Sequence, residues 1–185
     1  MTKAQLTVLA GPTAVGKGTV VAALTKRYPT LNVSVSATTR DPRPGELNGV
    51  HYYFVSAQEF DAMIERGDML EWALVHGKNK YGTPRGPVDE ALAAGKPVLL
   101  EIDLAGARQV RTNRPDAQFI FLAPPSWEEL ERRLIGRGTE SPEEQARRLA
   151  TARVELEAAS EFDHVVINDD VERAVDELAR LIGLE

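Results

Sequence analysis

Short apolar runs alternate along most of this chain with longer segments in which apolar residues recur at helical spacing. Four runs have the length of a buried strand: Leu6–Ala10, Pro97–Asp103, Phe119–Leu122 and Val165–Ile167. Each is mainly apolar rather than alternating, which is typical of strands covered on both faces. Buried strands separated by helices predict an α/β fold with a parallel sheet flanked by helices.

Capping signals and apolar periodicity indicate the helices between these strands. Ser126 with Glu129, and Ser141 with Glu144, have the spacing of capping boxes. Pro142 stands at the first position of the second of these helices, where proline is favoured. Other helices are predicted from apolar positions at helical spacing, namely Val20, Val21 and Leu24 before Pro29, and Val171, Ala174, Val175, Leu178 and Ile182 near the carboxyl terminus.

The pattern changes between residues 33 and 84. Val33–Thr38 and His51–Val55 alternate between apolar and polar residues, and many turn-forming residues separate them. A short helix is predicted after Ser56, with Gly67 as its end. This segment predicts a small lobe with antiparallel strands, inserted into the α/β core.

Composition limits the classes of protein that fit. The 185 residues fit one domain, and the absence of cysteine excludes a disulfide framework and a thiolate metal site. The net charge of −6 argues against a nucleic-acid-binding protein that relies on bulk positive charge. No signal-peptide or membrane-spanning pattern is evident, so we expect no membrane association and a cytoplasmic location.

The first strand leads into a glycine-rich loop that predicts phosphate binding. The spacing is glycine, four residues, then Gly16-Lys17, between a strand and a helix. In such loops the backbone N–H groups surround phosphate oxygens, and the lysine contacts the β- and γ-phosphates. The predicted donor-nucleotide loop therefore consists of Gly11, Pro12, Thr13, Ala14, Val15, Gly16, Lys17, Gly18 and Thr19.

One position of this loop departs from the common pattern. Gly18 follows the lysine where serine or threonine usually contacts Mg²⁺, and Thr19 comes one residue later. Mg²⁺ readily keeps several water ligands. We therefore expect the metal to be held mainly through the nucleotide and water, with Thr19 contacting phosphate and no direct metal ligand assigned.

A second group of polar residues lies at the end of another predicted strand. Glu101 and Asp103 are two residues apart, which would place both carboxylates on one side of the strand Pro97–Asp103. Ligands of open α/β sheets bind at the carboxyl ends of strands. These carboxylates are candidates to orient metal-bound water, Lys17 or an acceptor nucleotide.

The inserted lobe carries groups that suit a nucleoside monophosphate. Arg40 and Arg43 could form a planar fork for a phosphate dianion, and Tyr52 and Tyr81 could donate hydrogen bonds to the same phosphate. Glu71 offers a carboxylate, which matches guanine because N1–H and the 2-amino group are adjacent donors.

Ten motifs, in order along nearly the whole chain, resemble those of guanylate kinases. They are Gly11–Thr13, Ser36–Arg40, Pro42–Glu46, Asn48-Gly49, Tyr52–Phe54, Glu71-Trp72, Tyr81–Thr83, Glu101–Asp103, Gly136–Glu140 and Asn168–Asp170. The resemblance implies the reaction ATP + GMP ⇌ ADP + GDP with Mg²⁺, with dGMP as a further acceptor. It also implies three parts: a core at 1–32, 85–125 and 160–185, a GMP-binding lobe at about 33–84, and a lid at about 126–159.

The resemblance implies a role for each matching position. Arg40, Arg43, Tyr52 and Tyr81 correspond to ligands of the GMP phosphate, whereas Ser36, Glu71 and Thr83 correspond to groups that contact guanine, with Glu101 and Asp103 nearby. Lys17, Arg40 and the lid arginines Arg137 and Arg148 correspond to the catalytic charges. Arg133 and Asn168 correspond to contacts on the adenine side. The oligomeric state is not implied.

Three alternatives compete with this interpretation. A non-catalytic guanylate-kinase-like binding module should have lost the glycine loop, its lysine or the lid arginines, and all are present. A P-loop kinase for another small phosphorylated acceptor would not need Ser36, Glu71 and Thr83. A P-loop hydrolase would not need the inserted lobe.

Overall fold

The computed structural model describes residues 3–136 and 138–185, so Arg137 lies outside the described residues. In these ranges the strands are β1 (Leu6–Ala10), β2 (Asn32–Val33), β3 (Ala37–Thr38), β4 (Tyr53–Phe54), β5 (Met69–Val75), β6 (Asn79–Pro84), β7 (Val98–Glu101), β8 (Gln118–Ala123) and β9 (His164–Ile167). The helices are α1 (Lys17–Arg27), α2 (Ala57–Glu65), α3 (Arg85–Ala93), α4 (Leu104–Asn113), α5 (Trp127–Ile135), α6 (Pro142–Glu157) and α7 (Val171–Ile182).

The core is a parallel sheet of five strands in the order β2-β7-β1-β8-β9. One face packs against α1 and α7 through a buried cluster that includes Leu9, Leu24 and Leu178. The other face packs against α3 and α4 through a cluster that includes Val8 and Val110. The predicted parallel sheet between two helical layers is therefore confirmed. Because β1 is central, the loop after it opens at the middle of the sheet.

The inserted lobe contains a second sheet in the order β4-β3-β6-β5. The β3–β6 and β5–β6 pairs are antiparallel as predicted, whereas β3 and β4 pair in parallel. Phe60 of α2 is fully buried against this sheet, and Ser56 caps the helix by accepting a hydrogen bond from the Glu59 amide.

Two helices, α5 and α6, form a small unit beside the core. Leu130, Leu134 and Ala152 are its buried residues. Both predicted caps are present, and Ser141 and Glu144 form the reciprocal capping box with Pro142 in the first turn. With few buried apolar residues, this pair has a smaller core than the main sheet.

Two of the differences from the predicted strand boundaries have a clear structural cause. The segment predicted as one strand over Val33–Thr38 is divided, because β2 pairs with the core strand β7 whereas β3 pairs with β6 of the lobe. The strand predicted to reach Asp103 ends at Glu101, since Asp103 is the N-cap of α4 and accepts a hydrogen bond from the Gly106 amide. Among the described residues, no helix has the length and apolar character to cross a membrane.

Candidate functional site

The loop after β1 has the backbone conformation that an anion site needs. Gly16, the N-cap of α1, has φ of +98°, and an added Cβ would lie 2.8 Å from Nδ2 of Asn168. Ala14 also has a positive φ of 69°, which is uncommon for a residue with a side chain. The loop thus turns sharply into α1, whose N-terminal N–H groups favour a bound anion.

Lys17 lies at the first position of α1 with its ammonium group turned toward the loop. Its Nζ donates a hydrogen bond to the Gly11 carbonyl oxygen at 2.8 Å. Burial lowers the pKa of Lys17, while the negative charges of Glu155, Glu101 and Asp103 act in the opposite direction. The lysine is therefore a partly desolvated cation with carboxylates around it, at the position predicted for contact with the transferred phosphate.

The carbonyl oxygen of Val15 anchors the loop to two other elements. Nδ2 of Asn168, a residue that follows β9 and is 5% exposed, donates to it at 2.8 Å. Nη1 of Arg133 on α5 donates to the same oxygen at 3.2 Å. Both residues were predicted from the resemblance as adenine-side contacts. In the structure both side chains bond to the backbone of the glycine-rich loop, a contact that the sequence did not indicate.

The position after Lys17 is open. At Gly18 an added Cβ would meet no atom within 4 Å, so the missing hydroxyl is not explained by lack of space. Thr19 is exposed on the first turn of α1, and Glu101 is exposed at the end of β7. Within residues 3–136 and 138–185, no three His, Cys, Asp or Glu side chains converge as a ready metal site.

A cavity of about 390 Å³ lies between the loop and the α5–α6 unit. Its lining includes Thr13, Ala14, Arg133, Glu140 and Arg148. Arg148 pairs with Glu140 through an Nη2–Oε1 distance of 2.6 Å, and its side chain is about half exposed. The cavity thus has the glycine-rich loop on one side and Arg148, which was predicted as a lid arginine, on the other. Arg137 lies outside the described residues.

Glu155 of α6 is a further charged residue at this loop that the sequence analysis did not single out. Its Oε1 is buried and has no hydrogen-bond partner among the described residues. Burial raises the pKa of Glu155, whereas Lys17 and the Thr13 backbone amide lower it. One sequence signal could have identified Glu155. It lies three residues after the buried Ala152, at the edge of the apolar face of α6.

In the inserted lobe, Arg40 is held by a carboxylate. Nη1 and Nη2 of Arg40 donate to Oε1 and Oε2 of Glu46 at 2.9 and 3.0 Å, and the Arg43 amide donates to the same Oε1 at 2.7 Å. The Arg40 hydrogen bonds, followed by that of the Arg43 amide, lower the pKa of Glu46 to about 2. Glu46 therefore orients the predicted phosphate fork, and the sequence analysis had given it no role.

Two predicted tyrosines gather around Arg40. Its guanidinium lies 5.3 Å from the ring centroid of Tyr52, and the rings of Tyr52 and Tyr81 are 5.9 Å apart edge to face. Arg43 lies in the exposed loop that follows. A cation between two phenol groups suits a phosphate dianion, which can accept hydrogen bonds from all three.

Glu71 on β5 is the buried carboxylate of the lobe, with 8% of the residue exposed. The Thr83 hydroxyl, on the neighbouring strand β6, donates to Oε1 of Glu71 at 2.7 Å. Burial raises the pKa of Glu71 and Asp103 adds to the effect, while Thr83 opposes it. One carboxylate oxygen is thus engaged by Thr83. Ser36 directly precedes β3 in the same lobe.

Asp103 is close both to the residues around Lys17 and to the residues around Glu71. An added Cβ at Gly106 would lie 3.0 Å from Oε2 of Glu71 and 3.1 Å from Oδ1 of Asp103, so both carboxylates reach the same turn of α4. The charge of Asp103 also acts on Lys17. The loop with Lys17 and the lobe with Glu71 therefore face a common region at the carboxyl end of β7.

Comparisons with known proteins agree on one family. A family model described as "Guanylate kinase" matches residues 3–185. A guanylate kinase of Thermobifida fusca (strain YX) is 62% identical over 179 residues, which is 97% of this chain and 91% of that protein. A guanylate kinase of Leifsonia xyli subsp. xyli is 61% identical over 177 residues, covering 96% of this chain and 70% of that protein.

Solved structures agree with the fold. The crystal structure of guanylate kinase from Anaplasma phagocytophilum superposes with a TM-score of 0.72 at 32% identity, over 97% of this chain and 85% of that one. A shikimate kinase from Bacteroides thetaiotaomicron shares the fold with a TM-score of 0.50 at 15% identity, over 97% of this chain and 98% of that one.

Proposed function

Since the chain belongs to the guanylate kinase family, we propose that its two groups of polar residues bind the two nucleotides of the reaction ATP + GMP ⇌ ADP + GDP. ATP is the phosphoryl donor and GMP is the acceptor. The observation that best supports the division is that the charge of Asp103 acts on both Lys17, in the glycine-rich loop, and Glu71, in the inserted lobe.

The donor half uses the loop from Gly11 to Thr19. We assign the β- and γ-phosphates of ATP to the loop amides and to Lys17, whose ammonium can exchange its bond with the Gly11 carbonyl for one with phosphate. Arg133 and Asn168 hold the Val15 carbonyl and so keep the loop open in the required conformation.

The acceptor half uses the lobe at about 33–84. Arg40, Arg43, Tyr52 and Tyr81 bind the GMP phosphate, and Glu46 fixes the direction of the Arg40 guanidinium. The guanine edge is bound by a further set of groups: Ser36, Glu71 and Thr83, with Glu101 and Asp103 beside them. An ionised Glu71 accepts hydrogen bonds from N1–H and the 2-amino group of guanine.

To catalyse this reaction the protein must position the two substrates and supply positive charge. The transition state is loose, so an in-line arrangement of the acceptor oxygen and stabilisation of the equatorial oxygens account for most of the catalysis. Lys17 and Arg40 supply charge from the core and the lobe. We assign Arg137 and Arg148 of the lid, at about 126–159, to the same task, with Arg148 leaving Glu140 as the lid closes and excludes water.

Two features of the chain argue against a second class of function, a binding module without catalysis. A binding module without catalysis would not need Lys17 oriented by the loop, nor Arg148 in the lining of the cavity beside the loop. With ATP and GMP as substrates, we propose a cytoplasmic enzyme that acts on small molecules rather than on nucleic acid. We also propose dGMP as a further acceptor.

The residues present fit Mg²⁺ that arrives with ATP. Oxygen donors, which Mg²⁺ prefers, are available from exposed Thr19 and Glu101, and Gly18 leaves space for water ligands. The metal would neutralise charge between the β- and γ-phosphates.

Activity is therefore expected to follow the concentration of the Mg²⁺–ATP complex, because the chain contributes few direct ligands. Varying Mg²⁺ at fixed ATP should give a rate that saturates near one metal per nucleotide, and EDTA should abolish it reversibly. Calorimetry on the nucleotide-free protein should detect only weak Mg²⁺ binding. Tight stoichiometric binding of Mg²⁺ without ATP would contradict this assignment.

A further inference from the structure

Strand β5 of the lobe is attached to helix α4 of the core by side-chain amides. The carboxamide of Gln109 makes two hydrogen bonds to Trp72: its Oε1 accepts from the Trp72 amide at 3.1 Å, and its Nε2 donates to the Trp72 carbonyl at 2.9 Å. Nδ2 of Asn113, one turn further along α4, donates to the Leu70 carbonyl at 2.9 Å. Both backbone neighbours of Glu71 are thus bonded to α4.

The β5–β6 ladder is irregular immediately before Glu71. The β5–β6 register shifts between Met69 and Glu71, so Leu70 has no partner in the ladder. The Leu70 carbonyl is the group that Asn113 binds. The two amides of α4 therefore supply hydrogen bonds at the irregular part of the strand, where pairing with β6 alone is incomplete.

Gly106 lies on the same face of α4, three residues before Gln109. It is buried, and an added Cβ would be 3.0 Å from Oε2 of Glu71, which is tighter than ordinary van der Waals contact. The face of α4 toward β5 therefore has two functions: the amides hold the backbone on either side of Glu71, and the missing side chain at Gly106 gives space to its carboxylate.

We propose that Gln109 is a positioning residue for guanine recognition, acting through Glu71, and that Gly106 provides the space that this position requires. The proposal rests on the assignment of Glu71 to the guanine edge. It means that the guanine-binding carboxylate is held by the core helix α4, whereas Arg40 and Tyr52, which bind the phosphate, belong to parts of the lobe without these bonds to α4.

The test compares GMP with IMP, which lacks the 2-amino group. Gln109→Met keeps the length of the side chain and removes both hydrogen bonds, while Thr112→Ala, on the exposed side of α4, is the matched control. For each purified variant, kcat and KM are measured for GMP, IMP and ATP. Gln109→Met should lower the ratio of kcat/KM for GMP to that for IMP by about tenfold, the equivalent of one displaced polar contact.

Two readouts separate positioning from loss of structure. In Gln109→Met the KM for ATP should stay within about twofold of the parent value, since the donor half is untouched. Gly106→Ala should lower the same GMP/IMP ratio while the KM for ATP stays within about twofold, because the added methyl group displaces the Glu71 carboxylate. If Gln109→Met does not fold, Gly106→Ala tests the positioning role of α4 in its place.

Glu71→Gln serves as the reference variant. If it lowers the GMP/IMP ratio while Gln109→Met and Gly106→Ala leave the ratio unchanged, the positioning role of α4 is wrong although the guanine assignment stands. If Glu71→Gln itself leaves the ratio unchanged, the assignment of Glu71 to guanine is wrong. The proposal for Gln109 and Gly106 is then wrong as well, because it depends on that assignment.

Discussion

Replacing Lys17 with alanine is expected to lower kcat by about 10³-fold or more, the scale on which other phosphoryl-transfer enzymes respond to loss of a transition-state charge. The ammonium group is partly desolvated at the loop and bonds to the Gly11 carbonyl, so it is available to stabilise the phosphate oxygens of ATP in the transition state. The measurement is steady-state ADP formation with saturating ATP and GMP.

The fold of the Lys17→Ala variant should be retained. Burial lowers the pKa of Lys17, which means that the folded protein carries a cost for the charge and does not depend on it for stability. Unchanged circular dichroism and an unchanged or higher melting temperature should accompany the loss of turnover. Near-normal kcat in a pure, folded Lys17→Ala protein would refute the role given to the lysine.

Glu71→Gln is expected to reduce kcat/KM for GMP by about 100-fold, because a buried acceptor of two hydrogen bonds is replaced by a group that presents a donor to the guanine edge. The KM for ATP should change little, since Glu71 lies in the lobe and Lys17 in the loop. Initial rates over a matrix of both substrate concentrations give the two effects separately. Equal losses for GMP and ATP would contradict the assignment.

The pH dependence provides a second test of Glu71. Burial raises its pKa, so protonation begins at a higher pH than for an ordinary glutamate, and GMP binding needs the ionised form. As pH falls toward this raised pKa, the KM for GMP should rise more steeply in the parent enzyme than in Glu71→Gln, where only the titration of the GMP phosphate remains. The KM for ATP should show no such difference between the two proteins.

The same shift predicts an effect on stability with the opposite direction from the effect on activity. A folded-state pKa above the unfolded value means that stability is lost as pH rises through these values and Glu71 ionises. Glutamine can still accept the hydrogen bond from Thr83 without carrying a charge. Glu71→Gln should therefore melt at a higher temperature than the parent at pH 8, with the difference disappearing in acid.

Local signals in the sequence were sufficient to predict the strand, the loop and the helix around Lys17. The apolar run Leu6–Ala10, the glycine spacing and Lys17 lie within a few residues of one another, so strand, loop and helix follow from local rules. The capping boxes at Ser126 and Ser141 were equally local, and both helices begin where these boxes predict.

The errors at strand boundaries have tertiary causes. Val33–Thr38 alternates throughout, but only its partners, β7 for one half and β6 for the other, divide it between two sheets. Asp103 was predicted as the last residue of the strand Pro97–Asp103, yet its carboxylate caps α4. An N-cap and a strand end can share the same residue type, and the distinction depends on where the chain turns.

The supporting residues could not be identified from the sequence because their partners are distant or ambiguous. Gln109 lies 37 positions from Trp72, and an amide on an amphipathic helix is usually a surface residue. Glu46 was part of a recognised motif, but its bond to Arg40 depends on a turn of the lobe. Glu155 approaches Lys17 only because α6 packs beside the loop.

The central claim is that a phosphate loop and a guanine-selective lobe act together in one transfer. Its most direct test is a coupled assay of ADP formation from Mg²⁺ and ATP with GMP, IMP, AMP, CMP, UMP or no acceptor. We predict rapid ADP formation with GMP, matched one to one by GDP, and little with the other acceptors or with none. ADP formation that is independent of the acceptor, or as fast with AMP as with GMP, would contradict the account.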